Sequence, residues 1–137
     1  MSRPRVLATG VFDVLHEEHV KFLFAAKQLG ELIVGIESDA RVSRIKGSAR
    51  PINPAEVRMQ NLIDLGIANE VFVLPEQFDE EADHRALLKS IKPHILAVSS
   101  HSLHQNKKAR LMKEIGGRVE VVHQHNPSVS TSKLLGW

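Results

Sequence analysis

Residues 5–36 read RVLATGVFDVLHEEHVKFLFAAKQLGELIVGI, in which a helical pattern separates two short apolar runs. The runs predict strands at Arg5–Gly10 and Leu32–Ile36, and the middle predicts a helix at Glu17–Leu29. Gly30 follows in the usual position after a helix C-terminus. Nearly continuous Val, Ile and Leu are typical of strands buried on both faces of a parallel sheet. The stretch therefore indicates a β-α-β unit.

The same alternation continues to residue 122. After a polar loop, Asn53 is predicted to cap a helix that has Pro54 in its first position and ends at Gly66, with Glu56 completing a pattern close to a capping box. The remaining elements predicted are a strand at Glu70–Leu74, a helix at Glu81–Ile91, a strand at His94–Val98, a helix at Gln105–Ile115 and a strand at Arg118–Val122.

Crossovers between parallel strands are right-handed almost without exception. The expected fold is therefore α/β, a Rossmann-like doubly wound five-stranded parallel sheet with strand order 3-2-1-4-5 and helices on both faces. The length of 137 residues, with 42% hydrophobic and 25% charged residues, fits a single domain spanning 1–137.

Composition excludes several classes of protein. The chain has no cysteine, so it has no disulfide framework, no thiolate metal site and no cysteine nucleophile. The apolar runs are too short for a membrane span and the N-terminus does not resemble a signal peptide, so we expect a cytoplasmic location and no membrane partner. A net charge of +2 and 4% aromatic residues argue against a nucleic-acid surface, whereas a small anionic ligand needs only a local group of cations.

The loop after the first strand carries the clearest functional pattern, because ligands of doubly wound sheets bind beyond the carboxyl ends of the strands. Residues 9–20 read TGVFDVLHEEHV, and Gly10 allows a tight turn there. His16 and His19 lie on one side of the first helical turn, beside N–H groups that attract phosphate. Zinc is the competing interpretation of this spacing, but zinc needs a third ligand, and we expect no metal site.

Three segments together resemble the cytidylyltransferase-like nucleotidyltransferase superfamily. GVFDVLHEEH at residues 10–19 resembles its GxFDxxHxGH motif, and VSTS at residues 129–132 resembles its Ile-Ser-Thr-Thr motif. SDARVSRIKGSARPINPAEVRM at residues 38–59 is especially similar to the heptose 1-phosphate adenylyltransferases of lipopolysaccharide-precursor synthesis. The resemblance implies transfer of a nucleotidyl group from ATP or CTP to a small phosphorylated acceptor, with release of pyrophosphate.

The resemblance also implies roles for individual residues. The catalytic residues would be His16, His19, Lys46 and Arg58. The acceptor would contact Asp13, Lys46 and Arg58, and Mg²⁺ would enter as the counter-ion of the triphosphate. The residues implied in nucleotide binding are Thr9, Gly10, Val11, Phe12, His16, His19, Ser99, Ser130, Thr131 and Ser132. Such a set suits phosphoryl-type transfer, which depends on positioning and charge stabilisation.

Simpler interpretations remain open for some of these residues. Lys46 is also compatible with a solvated loop, and Arg58 with a surface ion pair to Glu56 or a neighbour. Asp13 is equally suited to orienting its loop by accepting backbone hydrogen bonds. The serine and threonine at positions 130 and 131 also fit an N-cap of a last short helix.

Two departures from the family pattern bear on activity and substrate. Glu18 stands where the motif has glycine, and VSSHS at residues 98–102 stands where heptose adenylyltransferases have a Lys-Gly-Gly-Asp-Tyr stretch. The leading hypothesis is an adenylyltransferase acting on heptose 1-phosphate. Its alternatives are a cytidylyltransferase acting on a polyol or amino-alcohol phosphate, and a nucleotide-binding relative whose catalysis is weakened by Glu18. A homodimer is left open by analogy with relatives of this size.

Overall fold

The computed structural model describes residues 3–123. The strands are β1 (Arg5–Gly10), β2 (Glu31–Ile36), β3 (Glu70–Val73), β4 (Ile95–Ser99) and β5 (Arg118–His123). The helices are α1 (Glu17–Lys27), α2 (Asp39–Lys46), α3 (Ala55–Leu65), α4 (Glu81–Ile91) and α5 (Gln105–Glu114). Where a predicted end of a helix or strand differs from the observed one, the difference is one or two residues, as is common where helices fray and strands leave a sheet.

The five strands form one parallel sheet in the order β3-β2-β1-β4-β5, which confirms the predicted topology. β1 lies at the centre and pairs with β2 along its whole length and with β4 through Val6 and Leu7. The chain order reverses between β1 and β4, so the carboxyl ends of these two strands border the crevice in which ligands of such sheets bind.

Helices cover both faces of the sheet, as predicted. Val6 and Ala8 of β1 face a core that includes Leu23 of α1 and Leu62 of α3. The Leu7 side chain points to the other face of the sheet and packs in a second core that includes residues of α4 and α5. Two-sided burial holds for β1, β2 and β4 but not for β3 and β5, which form the sheet edges and are only partly covered.

Two local predictions were wrong. The segment after β2 is not a polar loop but contains α2, whose N-terminus is capped by the Ser38 hydroxyl accepting from the Arg41 N–H. Asn53 does not cap α3, because Pro54 occupies the N-cap position and makes no side-chain cap bond. The Asn53 amide instead donates to the Asp13 carbonyl oxygen at 2.7 Å, so a tertiary contact replaces the local cap.

Within residues 3–123, no helix combines the length and apolar character that crossing a membrane requires.

Candidate active site

The loop between β1 and α1 is shaped by Gly10 and Phe12. A Cβ on Gly10 would lie 2.9 Å from Cε2 of the Phe12 ring, so only glycine allows this close approach. Phe12 has φ 49°, a left-handed conformation that is uncommon for a bulky residue and is found mainly where surrounding structure enforces it. Its buried ring packs edge-on against the His19 imidazole, with 5.3 Å between ring centroids. The strained turn therefore sets the position of His19.

His16 and His19 form a stacked pair at the N-terminus of α1. Their ring centroids are 3.8 Å apart and the ring planes differ by 20°. The His16 Nδ1 accepts the Glu18 N–H at 3.2 Å, and the His19 Nδ1 accepts the His16 N–H at 3.4 Å. Because both Nδ1 atoms accept, a neutral ring of either residue carries its proton on Nε2. The two rings therefore cap the start of α1, and the His16 Nε2–H is a donor at this end of the helix.

His19 is neutral across the physiological range. Burial is the main reason that its pKa falls to about 4; the neighbouring His16 and Lys46 lower it further, while the Val14 carbonyl oxygen acts in the opposite direction. Such an imidazole donates a hydrogen bond without bringing a full positive charge. Within residues 3–123, no third histidine or carboxylate joins the pair in a group able to hold a metal ion.

Asp13 orients the loop that precedes α3. Its carboxylate accepts the N–H groups of Ile52 at 2.7 Å and Asn53 at 2.8 Å, and Arg50 Nη1 lies 3.6 Å from Oδ2. The interpretation that Asp13 accepts backbone hydrogen bonds is therefore the one the structure favours. Contact between Asp13 and an acceptor substrate stays a prediction.

Arg58 lies beneath the site, with none of its side chain exposed. Its guanidinium donates to the carbonyl oxygens of Val11 at 3.0 Å, Glu37 at 2.8 Å and Asn53 at 3.0 Å, and it also pairs with the Asp39 carboxylate. A surface ion pair with Glu56 is therefore excluded. Arg58 joins the loop after β1, the end of β2 and the start of α3, which is the role of a positioning residue. Its predicted contact with substrate stays a prediction.

Lys46 is the last residue of α2 and is half-buried. Partial burial is the main reason that its pKa is lowered; Arg50 lowers it further and Asp13 acts in the opposite direction. Lys46 also acts electrostatically on His19. Lys46 thus ends a helix and does not lie in a loop, and it interacts electrostatically with His19. Its contact with a substrate stays a prediction.

The remaining predicted nucleotide contacts lie in two places. Thr9 and Val11 flank Gly10, and Ser99 ends the neighbouring strand β4, with its carbonyl oxygen accepting the Ser102 N–H at 3.1 Å. The crevice between β1 and β4 thus has predicted contacts on both sides. Ser130, Thr131 and Ser132 lie outside the described residues.

Glu18, the residue at the family's glycine position, is turned toward β5. It is 6% exposed, its Oε1 lies 3.2 Å from His123 Nε2, and its Oε2 lies 3.6 Å from Lys21 Nζ. The carboxylate is thus engaged by two basic side chains. These contacts reduce the electrostatic penalty that a bare carboxylate would impose on a bound phosphate.

We therefore expect Glu18→Gly to leave turnover within about tenfold of the wild type, a change of less than about 1.4 kcal/mol in the activation free energy. Its free energy of unfolding should fall by about 1 to 2 kcal/mol, because glycine disfavours the helix and the contacts to His123 and Lys21 are lost. Steady-state kinetics and urea denaturation measure the two effects. Glu17→Gly, an exposed position in the same turn, is the matched control for helix propensity. A gain of several orders of magnitude in turnover would instead identify a site weakened by Glu18.

Sequence reasoning missed a group of buried charged residues next to the crevice. Glu37 follows β2, Arg41 lies in α2, and Lys108 lies in α5; all three are buried. Arg41 Nη1 is 2.8 Å from Glu37 Oε2. A signal for Lys108 was available, since it lies three, four and seven residues before Leu111, Met112 and Ile115, on the apolar face of the helix.

Comparison with known proteins agrees with this geometry. A family model described as Cytidylyltransferase-like matches residues 7–135. The Bifunctional protein HldE of Pseudomonas entomophila (strain L48) is 40% identical over 119 residues, which cover 85% of this chain and 24% of that protein. The Bifunctional protein HldE of Pseudomonas syringae pv. syringae (strain B728a) is also 40% identical, with the same coverage of the two chains. The chain thus spans about a quarter of the length of these curated relatives.

Solved structures give the same result for the fold. The lipopolysaccharide core biosynthesis protein from Thermoplasma volcanium GSS1 superposes with a TM-score of 0.69 at 25% identity, covering 90% of this chain and 97% of that chain. Pantothenate synthetase from Thermus thermophilus superposes with a TM-score of 0.60 at 8% identity, covering 95% of this chain and 59% of that one, which is a likeness of fold alone. Because the family match extends over nearly the whole sequence and includes the loop with the histidine pair, the chain belongs to the cytidylyltransferase-like family of nucleotidyltransferases.

Proposed function

We propose that this chain transfers AMP from ATP to a sugar phosphate, with heptose 1-phosphate as the leading acceptor. An oxygen of the acceptor phosphate attacks the α-phosphorus of ATP, the bond from that phosphorus to the bridging oxygen breaks, and pyrophosphate leaves with the electron pair. The products are an ADP-sugar and pyrophosphate. The observation that carries the proposal is the stacked pair of imidazoles at the N-terminus of α1, with which Lys46 interacts electrostatically.

The proposed chemistry needs charge stabilisation and no side-chain nucleophile. Negative charge grows on the oxygens around the α-phosphorus and on the departing pyrophosphate. The imidazoles of His16 and His19, stacked at the start of α1, are suited to interact with those oxygens. In this proposal Lys46 adds a positive charge that acts on the same site. Burial of His19 strengthens each such interaction, because less water competes for the phosphate.

Mg²⁺ fits this proposal as a companion of the triphosphate. Two carboxylates of this region already have partners: Asp13 binds the backbone before α3, and Glu18 binds His123 and Lys21. In this proposal the metal is held mainly by oxygens of the nucleotide and by water. When bound, Mg²⁺ would neutralise phosphate charge and so assist the departure of pyrophosphate.

The choice of acceptor rests on the segment at residues 38–59, which resembles heptose 1-phosphate adenylyltransferases. The proposal is supported by the contents of this segment, which includes α2 with Lys46, the loop that Asp13 holds, and the buried Arg58. The similarity to HldE proteins is compatible with the same acceptor class. CTP with a polyol or amino-alcohol phosphate is the alternative pair of substrates.

Pyrophosphate release by the purified protein tests the proposal. ATP and CTP are each combined, in the presence of Mg²⁺, with heptose 1-phosphate, other sugar phosphates and glycerol 3-phosphate. We expect release with ATP and heptose 1-phosphate, and the ADP-sugar as the second product. Release only with CTP and a polyol phosphate would assign the alternative substrates. Nucleotide binding without release across all combinations would contradict the proposal and favour a catalytically weakened relative.

A further inference from the structure

We propose that Lys108 is a positioning residue that holds the loop after β4, residues 99–104, in the conformation that binds the nucleotide. The structural part of this inference rests on the contacts of Lys108. Its consequence for catalysis rests on the proposed function. Lys108 lies in α5, belongs to none of the three family motifs, and has none of its side chain exposed. Its Nζ donates to the Ser102 hydroxyl at 2.7 Å.

Gln105 also holds the loop after β4, but by weaker bonds. Its Nε2 donates to the carbonyl oxygens of Ser100 at 3.3 Å and Ser102 at 3.2 Å, both near the upper limit for such bonds. His104 has φ 57°, so the loop ends in a left-handed residue that is not glycine and that costs conformational energy. Among these three side-chain bonds, the one from Lys108 is the shortest, and it is also charge-assisted whenever Lys108 is protonated.

Lys108 also has an electrostatic interaction with a residue that follows β2. Its ammonium interacts electrostatically with the Glu37 carboxylate at the end of β2. Glu37 is paired with Arg41 through its side chain and accepts the Arg58 Nη1–H through its carbonyl oxygen. The same Arg58 nitrogen holds the Val11 carbonyl oxygen in the loop of the histidine pair. Buried hydrogen bonds and an ion pair therefore link the segments after β1 and β2, and Lys108 of α5 interacts with them electrostatically.

A charge in this position is costly, which argues that it has a role. Burial lowers the pKa of Lys108 to about 7, although Glu37 acts in the opposite direction. Burial likewise raises the pKa of Glu37, although Arg41 acts in the opposite direction. A methionine of similar length would fill the same space without removing a charge from water, and replacements of that kind in other proteins are often neutral or stabilising. Lys108→Met is therefore expected to fold.

The test compares Lys108→Met, Ser102→Ala and the double variant. Hydrogen exchange of the amides at residues 99–104 reports the loop directly, and steady-state kinetics report the KM for ATP and kcat. We expect each single variant to speed loop exchange and to raise the KM for ATP by about three- to tenfold, the effect of one lost hydrogen bond, with kcat within about twofold of the wild type. The double variant should be no worse than the more affected single variant, because both changes remove the same bond.

Two further variants separate positioning from general damage. Ser102→Thr keeps the hydroxyl, so its rate of loop exchange and its KM for ATP should match those of the wild type. Lys113→Met makes the same chemical change at an exposed position of the same helix and should leave both unchanged. A loop that exchanges at the wild-type rate in Lys108→Met, or additive effects in the double variant, would overturn the proposal. Absence of turnover in the wild type contradicts the proposed function only, because loop exchange still decides the role of Lys108.

Discussion

Replacing His19 by alanine is expected to lower kcat by about two to three orders of magnitude, the usual cost of removing one preorganised donor from a site that stabilises developing negative charge. The reason is local: the ring is partly buried, stacked on His16 and packed against Phe12, so no other group can take its place. The measurement is pyrophosphate release with saturating ATP and acceptor. Phe24→Ala, a largely exposed change in the same helix, is the control for α1 and should keep its activity. A His19→Ala enzyme with near-normal kcat would remove the histidine pair from the mechanism.

The pKa of His19 supplies an independent check that needs no substrate. Between pH 4 and 6.5 the unfolded chain binds a proton at His19 that the folded protein does not, so this residue makes the folded state less stable as the pH falls through that window. His19→Ala should therefore lose less stability than the wild type when the pH is lowered from 7 to 4. Thermal melts across this range measure the difference. Parallel loss in the two proteins would mean that His19 titrates normally in the fold.

Replacing Arg58 by methionine is expected to lower the free energy of unfolding by about 3 to 5 kcal/mol, a large part of the stability of an ordinary domain. Methionine fills the volume of the side chain but leaves the carbonyl oxygens of Val11, Glu37 and Asn53 without their donor. Urea denaturation, followed by circular dichroism, measures the change. Arg58→Lys should lower the free energy of unfolding by less, because its ammonium keeps the charge. It should still be less stable than the wild type, because it lacks the forked geometry that reaches all three oxygens.

Arg110→Met is the matched control, because Arg110 is an exposed residue of α5 whose pair with Glu81 lies at the surface. Its denaturation midpoint should change little. Activity of the Arg58 variants is then compared at a temperature where they remain folded. If Arg58→Met unfolds at the wild-type midpoint but has lost its turnover, Arg58 acts on the substrate directly and its positioning role is wrong.

The fold followed from the sequence because its signals are local and repeated. The runs at residues 6–8, 32–36 and 95–98 are apolar without interruption, as strands covered on both faces must be, and helical patterns separate them. The histidine pair was predictable for the same reason: three residues of spacing at a helix start place two side chains on one side, whatever surrounds them.

The helix α2 was missed because its sequence, DARVSRIK, is short and mostly polar. Its buried residues are Arg41 and Val42, and a buried arginine does not register as an apolar position. Asn53 was assigned to the wrong partner because a capping pattern describes only local bonds, whereas the Asp13 carboxylate, 40 residues away in sequence, supplies a better site for the same loop.

The sequence by itself determined the alternation of strands and helices, the topology of the sheet and the loop in which the histidines stand, since all three depend on periodicity and on spacing of a few residues. Only the tertiary structure decided what the charged residues do. Arg58 and Lys108 are buried beside carbonyl oxygens and a hydroxyl, and Glu18 is turned to His123. Whether a charge lies in water or in the protein depends on which distant segments pack around it, and this long-range packing sets both its pKa and its partners.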